Sequence, residues 1–120
     1  MFTWDLVHPI ARCSLICSIT LHESGKTLWP WTGFENEIGD GEGKDYNVNV
    51  PLPMGICDEA YLEIFNKIVI PLAKSYDPDV FVLQLGMDAL AGDLLAHLEL
   101  TNNVHAFNDG RNTTHEYRLG

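Results

Sequence analysis

Residues 80–85 read Val-Phe-Val-Leu-Gln-Leu, an almost unbroken apolar run that leads into Gly86-Met87-Asp88 and then Ala91-Gly92-Asp93. A strand of that composition has no polar side to turn toward water, so it fits a parallel sheet covered by helices on both faces. In open α/β sheets ligands collect beyond the C-terminal ends of the strands, where the strand fixes the backbone and the loop that follows is free to vary. Asp88 falls at that edge. It is a candidate metal-ligating carboxylate, and also a candidate cap for a short helix over residues 89–95.

The rest of the chain supplies the elements such a sheet needs. Residues 15–21, Leu-Ile-Cys-Ser-Ile-Thr-Leu, read as a strand that ends in the polar turn His22-Glu23-Ser24-Gly25. The alternation Tyr46-Asn47-Val48-Asn49-Val50 predicts a second, short strand that Pro51 and Pro53 terminate, because proline cannot donate to a ladder. Between them, residues 26–44 carry Trp29-Pro30-Trp31 and four glycines, too irregular for a regular element and too aromatic for a solvated linker. An ordered functional loop is expected there. From Asp58 the period changes: Tyr61, Phe65, Ile68, Leu72 and Tyr76 form a helical stripe, with Asp58 as its expected N-cap and Pro71 expected to introduce a kink or a local 3₁₀ turn. Asp77-Pro78-Asp79 stops the helix. Strand, helix and strand thus alternate as in a βαβ unit.

Composition narrows the partners. Seventeen acidic residues against seven basic give a formal charge of −10, so approach to nucleic-acid phosphates or an anionic membrane surface starts against repulsion. No nucleic acid and no membrane partner is expected. Cys13, Cys17 and Cys57 form no even framework and follow no signal segment, which reads as a reducing, cytoplasmic setting. Cys13 and Cys17 alternate onto one strand face as buried thiols rather than zinc ligands. The Gly39-Asp40-Gly41-Glu42-Gly43-Lys44 stretch lacks the Ser or Thr after the lysine that a phosphate loop requires. His22, His97 and His105 stand singly, and no chemistry is assigned to them. Trp29 and Trp31 read, on residue type alone, as loop packing more readily than as ligand contacts.

Several motifs coincide in order. Ser18-Ile19-Thr20-Leu21-His22-Glu23, Trp29-Pro30-Trp31-Thr32-Gly33, Glu37-Ile38-Gly39, Gly41-Glu42-Gly43-Lys44, Tyr46-Asn47-Val48-Asn49-Val50-Pro51-Leu52, Leu83-Gln84-Leu85-Gly86-Met87-Asp88 and Leu100-Thr101-Asn102 together resemble the zinc-dependent histone deacetylase family, in its bacterial acetoin-utilization branch. The likeness covers residues 18–103 as a partial histone deacetylase-like domain, with residues 1–17 and 104–120 as divergent ends. It implies an α/β fold, a fragment of the arginase–deacetylase type of three-layer sandwich with a parallel sheet.

The resemblance also implies roles. Asp88 would be one of three protein ligands to a catalytic zinc. Trp29 would line the tunnel that clasps the stem of an acylated lysine. Thr20 and Leu21 would help to hold a monovalent cation, potassium, and the Tyr46 carbonyl would serve a second such site. The implied substrates are acetylated lysine or an acetylated small amine. The departures are equally specific. The family's Asp-x-His pair is answered only by Asp5-Leu6-Val7-His8, one residue too long, while its tandem histidines and its tyrosine-bearing Gly-rich loop have no counterpart. No catalytic residue is therefore assigned. The expectation is a deacetylase fragment that is not competent alone; the alternative is a non-catalytic piece that acts only by association with a complementary chain.

Overall fold

The computed structural model describes residues 16–108. The chain divides into two compact units, Met1–Met54 and Gly55–Gly120. The Asp5-Leu6-Val7-His8 stretch, Cys13 and residues 109–120 lie outside the described part. No described helix is long and apolar enough to cross a membrane.

The first unit is built on two parallel strands, β1 (Ser18–Glu23) and β2 (Asn47–Leu52), in register from Ser18 opposite Asn47 to Glu23 opposite Leu52. Consecutive strands can run parallel only if the chain returns to the start of the sheet through a long connection. Here residues 24–46 make that return without an α-helix, with a single 3₁₀ turn at Gly41–Gly43, along a ladder of six residues, about 20 Å. The parallel pairing expected of the α/β class is present. The boundaries differ from the sequence reading: β1 begins at Ser18 and runs on through His22 and Glu23, which the residue pattern places in the turn, and Pro51 lies inside β2 rather than ending it. The ladder is bracketed by Ser18 N–H donating to the Tyr46 carbonyl at 2.9 Å and Ser24 N–H donating to the Leu52 carbonyl at 2.8 Å. Even-numbered residues of β2 thus face β1, and the nitrogen of Pro51, which has no hydrogen to give, points to the other edge.

The second unit opens with one long helical stretch. An α-helix, α1 (Asp58–Ile64), passes into a π-helical turn (Phe65–Val69) and continues as α2 (Ile70–Tyr76). The kink or 3₁₀ turn expected at Pro71 is replaced by this wider turn, in which Ile70 N–H reaches back five residues to the Phe65 carbonyl. Slack placed just before Pro71 accommodates a residue that can neither donate to Lys67 nor tolerate its carbonyl close by. Asp58 is also corrected. Cys57 occupies the N-cap position without a side-chain cap bond, and the Asp58 carboxylate instead accepts from the backbone N–H of Thr101 at 2.7 Å and from the Thr101 hydroxyl. The helix ends at Asp77, which adopts the left-handed conformation at φ 50° and donates its N–H to the Ala73 carbonyl.

Three short extended segments complete this unit. Cys57 bridges to Glu99 and Leu90 to Leu100, both in parallel sense, so that residues 97–100 lie between the segments around 56 and 90. The helix α3 (Asn102–Asn108) follows directly. Ile56, Ala73, Ala96, Leu98, Leu100 and Val104 are the buried apolar residues here, whereas the helical stripe from Tyr61 to Tyr76 is only half-buried. Tyr61 and Phe65 stack at a ring-centroid separation of 6.3 Å.

The largest departure concerns residues 80–85. They form no strand among the described residues, and Val80, Phe81, Val82 and Leu83 are exposed, Val82 by 92%. A run apolar on both faces becomes a strand only when neighbours pair its edges and cover its sides. Neither is supplied by the described residues. Hydrogen exchange should therefore find the amides of residues 81–86 exchanging at least about a hundredfold faster than those of β1 and β2. Equal protection of both segments would contradict this arrangement.

Candidate functional site

The connection between β1 and β2 is the most heavily tied part of the first unit. His22 in β1 donates through Nε2 to the Gly33 carbonyl at 2.9 Å. One turn on, the Glu37 carboxylate accepts from the backbone N–H of Gly33 at 2.8 Å and of Phe34 at 3.0 Å. The carbonyl of the same Glu37 receives the side-chain amides of Asn47 at 2.7 Å and Asn49 at 2.8 Å, both buried on one face of β2. Thr27 closes the start of the loop by donating its hydroxyl to Glu23 Oε1 at 2.8 Å. Burial pushes the His22 imidazole below its ordinary value, against the opposing pull of hydrogen bonds to the Gly33 and Thr20 backbones and of the Glu37 charge. None of these ties was read from the sequence. The visible signal was the pair Asn47 and Asn49, polar at period two within a strand; alternation alone leaves open which face is covered.

This scaffold presents Trp29 and Trp31. Trp31 N–H donates to the Leu28 carbonyl at 3.2 Å, which closes a tight turn around the Trp29–Pro30 bond. Gly25 lets the chain close on itself, because a Cβ there would stand 2.6 Å from the Thr32 carbonyl oxygen and 2.8 Å from its nitrogen. Trp29 and Trp31 are 55% and 58% exposed, so more than half of each residue faces solvent. Trp31 also sits at φ 66°, in the left-handed region, which costs an L-residue about 1–2 kcal/mol.

Oxygens suited to a monovalent cation are present in the first unit. Thr20 and Leu21 lie within β1, and the Tyr46 carbonyl accepts from Ser18 N–H at the start of the ladder. The neighbouring Asn47 Oδ1 is buried with no hydrogen-bond donor in reach among the described residues, the kind of orphaned oxygen that a weakly hydrated cation satisfies. Burial pushes the Cys17 thiol up, away from the ligating thiolate form.

Asp88 belongs to the second unit. It lies in a single 3₁₀ turn, Met87–Ala89, and the helix considered for residues 89–95 is absent. The turn is fastened from behind: Leu100 N–H donates to the Ala89 carbonyl at 3.3 Å, and Ala91 N–H donates to the Leu100 carbonyl at 2.9 Å. The half-buried carboxylate folds back over Gly86, where a Cβ would meet Asp88 Oδ1 at 2.5 Å. A side chain at Gly86 would therefore displace that oxygen, while the backbone there is ordinary at φ −80° and ψ 126°. Among the described residues no three His, Cys, Asp or Glu side chains gather as a metal-binding group. Catalytic zinc needs three protein ligands, and Asp88 alone does not meet that need.

A parallel strand pair with an anchored aromatic crossover, and a carboxylate on a Gly-supported turn behind an apolar run, define an α/β domain fragment of the arginase–deacetylase type. Its structural neighbours agree. An HDAC homolog from Aquifex aeolicus superposes with a TM-score of 0.80 at 35% identity, over 88% of this chain and 29% of that one. An HDAC homolog complexed with SAHA gives 0.72 at 39% identity, over 79% and 26%. The acetoin utilization protein AcuC of Bacillus subtilis is 37% identical over 90 residues, 75% of this chain and 23% of that protein. The chain belongs to the histone deacetylase domain family, whose sequence pattern residues 10–112 match. It spans about a quarter of the length of the curated relatives it matches.

The integrity of the aromatic loop hangs on Glu37. Replacing it with alanine strands two backbone N–H groups and should lower the unfolding free energy by about 1–3 kcal/mol, with a matching change in the near-ultraviolet circular dichroism of the tryptophans. Glu37→Gln keeps an acceptor oxygen and should lose less than half as much in the same urea titration.

Proposed function

We propose that this chain is one part of a zinc-dependent deacetylase, the part that brings the aromatic wall of the acyl site and one metal ligand. The reaction is hydrolysis of the amide of an acetylated lysine or acetylated small amine. Trp29 lines the acyl stem, Asp88 is the ligand, and Thr20, Leu21 and Tyr46 hold potassium through oxygen atoms. The observation that carries this reading is the Asp88 turn: a carboxylate held over a glycine and latched by Leu100, at the end of an apolar run. Because no metal-binding group forms among the described residues, zinc is retained only when further ligands come from a complementary chain or from polypeptide beyond this sequence. The isolated chain is therefore inactive and acts through association. Its exposed run at residues 80–83 is the surface on which strands of the complement pair.

A chimera tests this directly. The matching segment of the Aquifex aeolicus HDAC homolog is replaced by residues 18–103 of this chain, and turnover of an acetyl-lysine substrate is measured beside the unaltered host. Activity should survive the exchange and fall about a thousandfold with Asp88→Ala, the several kcal/mol that a lost metal ligand removes from transition-state stabilisation. Gly86→Ala, which displaces the carboxylate but not the backbone, should fall in the same direction. The isolated chain should show no turnover with added zinc. Turnover by the isolated chain, or a chimera indifferent to Asp88→Ala, would defeat the proposal.

A further inference from the structure

The peptide group between Leu100 and Thr101 is gripped on both sides. Its carbonyl, that of Leu100, accepts from Ala91 N–H at 2.9 Å, just past the turn that carries Asp88, and its N–H, that of Thr101, donates to Asp58 Oδ1 at 2.7 Å. A planar trans peptide sets those two groups on opposite sides, so whatever fixes one of them fixes the direction of the other. The second Asp58 oxygen takes the Thr101 hydroxyl, which in turn accepts from Asn103 N–H at 3.2 Å. Residue 101 cannot rotate without breaking a bond to Asp58.

Asp58 is itself firmly seated, as the first residue of a helical stretch that runs on to Tyr76. The other tie of this segment to the start of α1, Glu99 N–H on the Ile56 carbonyl at 3.0 Å, is made by backbone and is open to any sequence. The Asp58 bonds are made by a side chain. Hydrogen bonds to an ionised acceptor are about twice as strong as neutral ones, and they polarise the peptide they engage, which strengthens the hold of the Leu100 carbonyl on Ala91. We infer that Asp58 is a positioning residue for Asp88: it sets the plane of the Leu100–Thr101 peptide, and that peptide sets the turn on which the Asp88 carboxylate stands. For what Asp88 does, this inference rests on the deacetylase reading; for how Asp88 is placed, it rests on the hydrogen bonds alone.

Two measurements separate these parts. In the 120-residue chain, Asp58→Ala should speed amide exchange at Ala91 about ten- to a hundredfold, as loss of a hydrogen bond to a charged acceptor dictates, with the amides of β1 unchanged. Asp58→Asn keeps an acceptor for Thr101 N–H and should speed it less than about threefold. In the chimera with the Aquifex aeolicus host, Asp58→Ala should lower kcat about tenfold with KM unchanged, and Asp58→Asn should restore most of the loss. Ala73→Gly weakens the same unit through α2 instead, and below its melting temperature it should leave kcat unaltered. Ala91 exchange indifferent to Asp58→Ala, a kcat loss matched by Ala73→Gly, or no rescue by Asp58→Asn overturns the assignment. A chimera indifferent to both Asp88→Ala and Asp58→Ala, with Ala91 still loosened in the chain, counts against the deacetylase reading and leaves the placement of the turn by Asp58 supported.

Discussion

Everything functional in the first unit depends on Glu37, because it is used at both ends. Its carboxylate closes the turn at Gly33 and Phe34, and its carbonyl takes the amides of Asn47 and Asn49. A crossover whose one regular element is the 3₁₀ turn Gly41–Gly43 has no long internal ladder to stiffen it, and many of its backbone groups must find partners elsewhere. One residue thus supplies one shared acceptor on each side, Oε1 for the two N–H groups of the turn and the carbonyl oxygen for the two strand amides. The cost is a polar pair buried on a strand face that would otherwise carry apolar side chains. That cost is met by hydrogen bonds near ideal length, which a valine pair could not make. With the middle of the loop fixed in this way, the strain at Trp31 can be sustained.

The second unit solves a related problem by different means. The Asp88 turn is too short to be stable as a helix, so it is latched to Leu100, and the segment carrying Leu100 is fixed in turn by Glu99 N–H on the Ile56 carbonyl at 3.0 Å and by Thr101 on the Asp58 carboxylate. Position passes from the start of α1 through residues 97–101 to the turn. Asp58 therefore acts over forty-three residues of sequence instead of capping its own helix. Asp88 Oδ1 occupies the space that a Cβ on Gly86 would take, 2.5 Å from it, so a side chain there would have to displace the carboxylate.

Local patterning made much of this legible. The two strands of the first unit, the irregular aromatic connection and the helix through residues 58–76 follow from period, proline and glycine placement, whereas the parallel pairing of those two strands does not. The ordered motifs pointed to the histone deacetylase family, to which the chain belongs. What escaped was set by tertiary partners. Asn47 and Asn49 look solvent-facing until Glu37 is found beneath them, and Asp58 looks like a cap until Thr101 arrives from far along the chain. Pro71 announced a disturbance but not its form, since a π-helical turn and a 3₁₀ turn relieve the same missing hydrogen bond in opposite directions. Residues 80–85 failed for a different reason: their composition describes the environment they are suited to, and the described residues do not provide it.

The exposed run and the placement of the Asp88 carboxylate are two expressions of one condition. A strand apolar on both faces gains its stability from neighbours on each edge and covering layers on each side, and it positions the residue at its end only to the extent that it is itself held. Here Asp88 is held from behind by Leu100 while the run that precedes it lacks strand partners among the described residues. Strands added beside residues 80–85 would bury Val80, Phe81, Val82 and Leu83, and their own C-terminal ends would then fall beside the Asp88 turn, where further metal ligands are needed. On the deacetylase reading proposed above, strands that cover the apolar run would also bring the further ligands. Sheet completion and metal retention should accordingly be cooperative, neither being stable without the other.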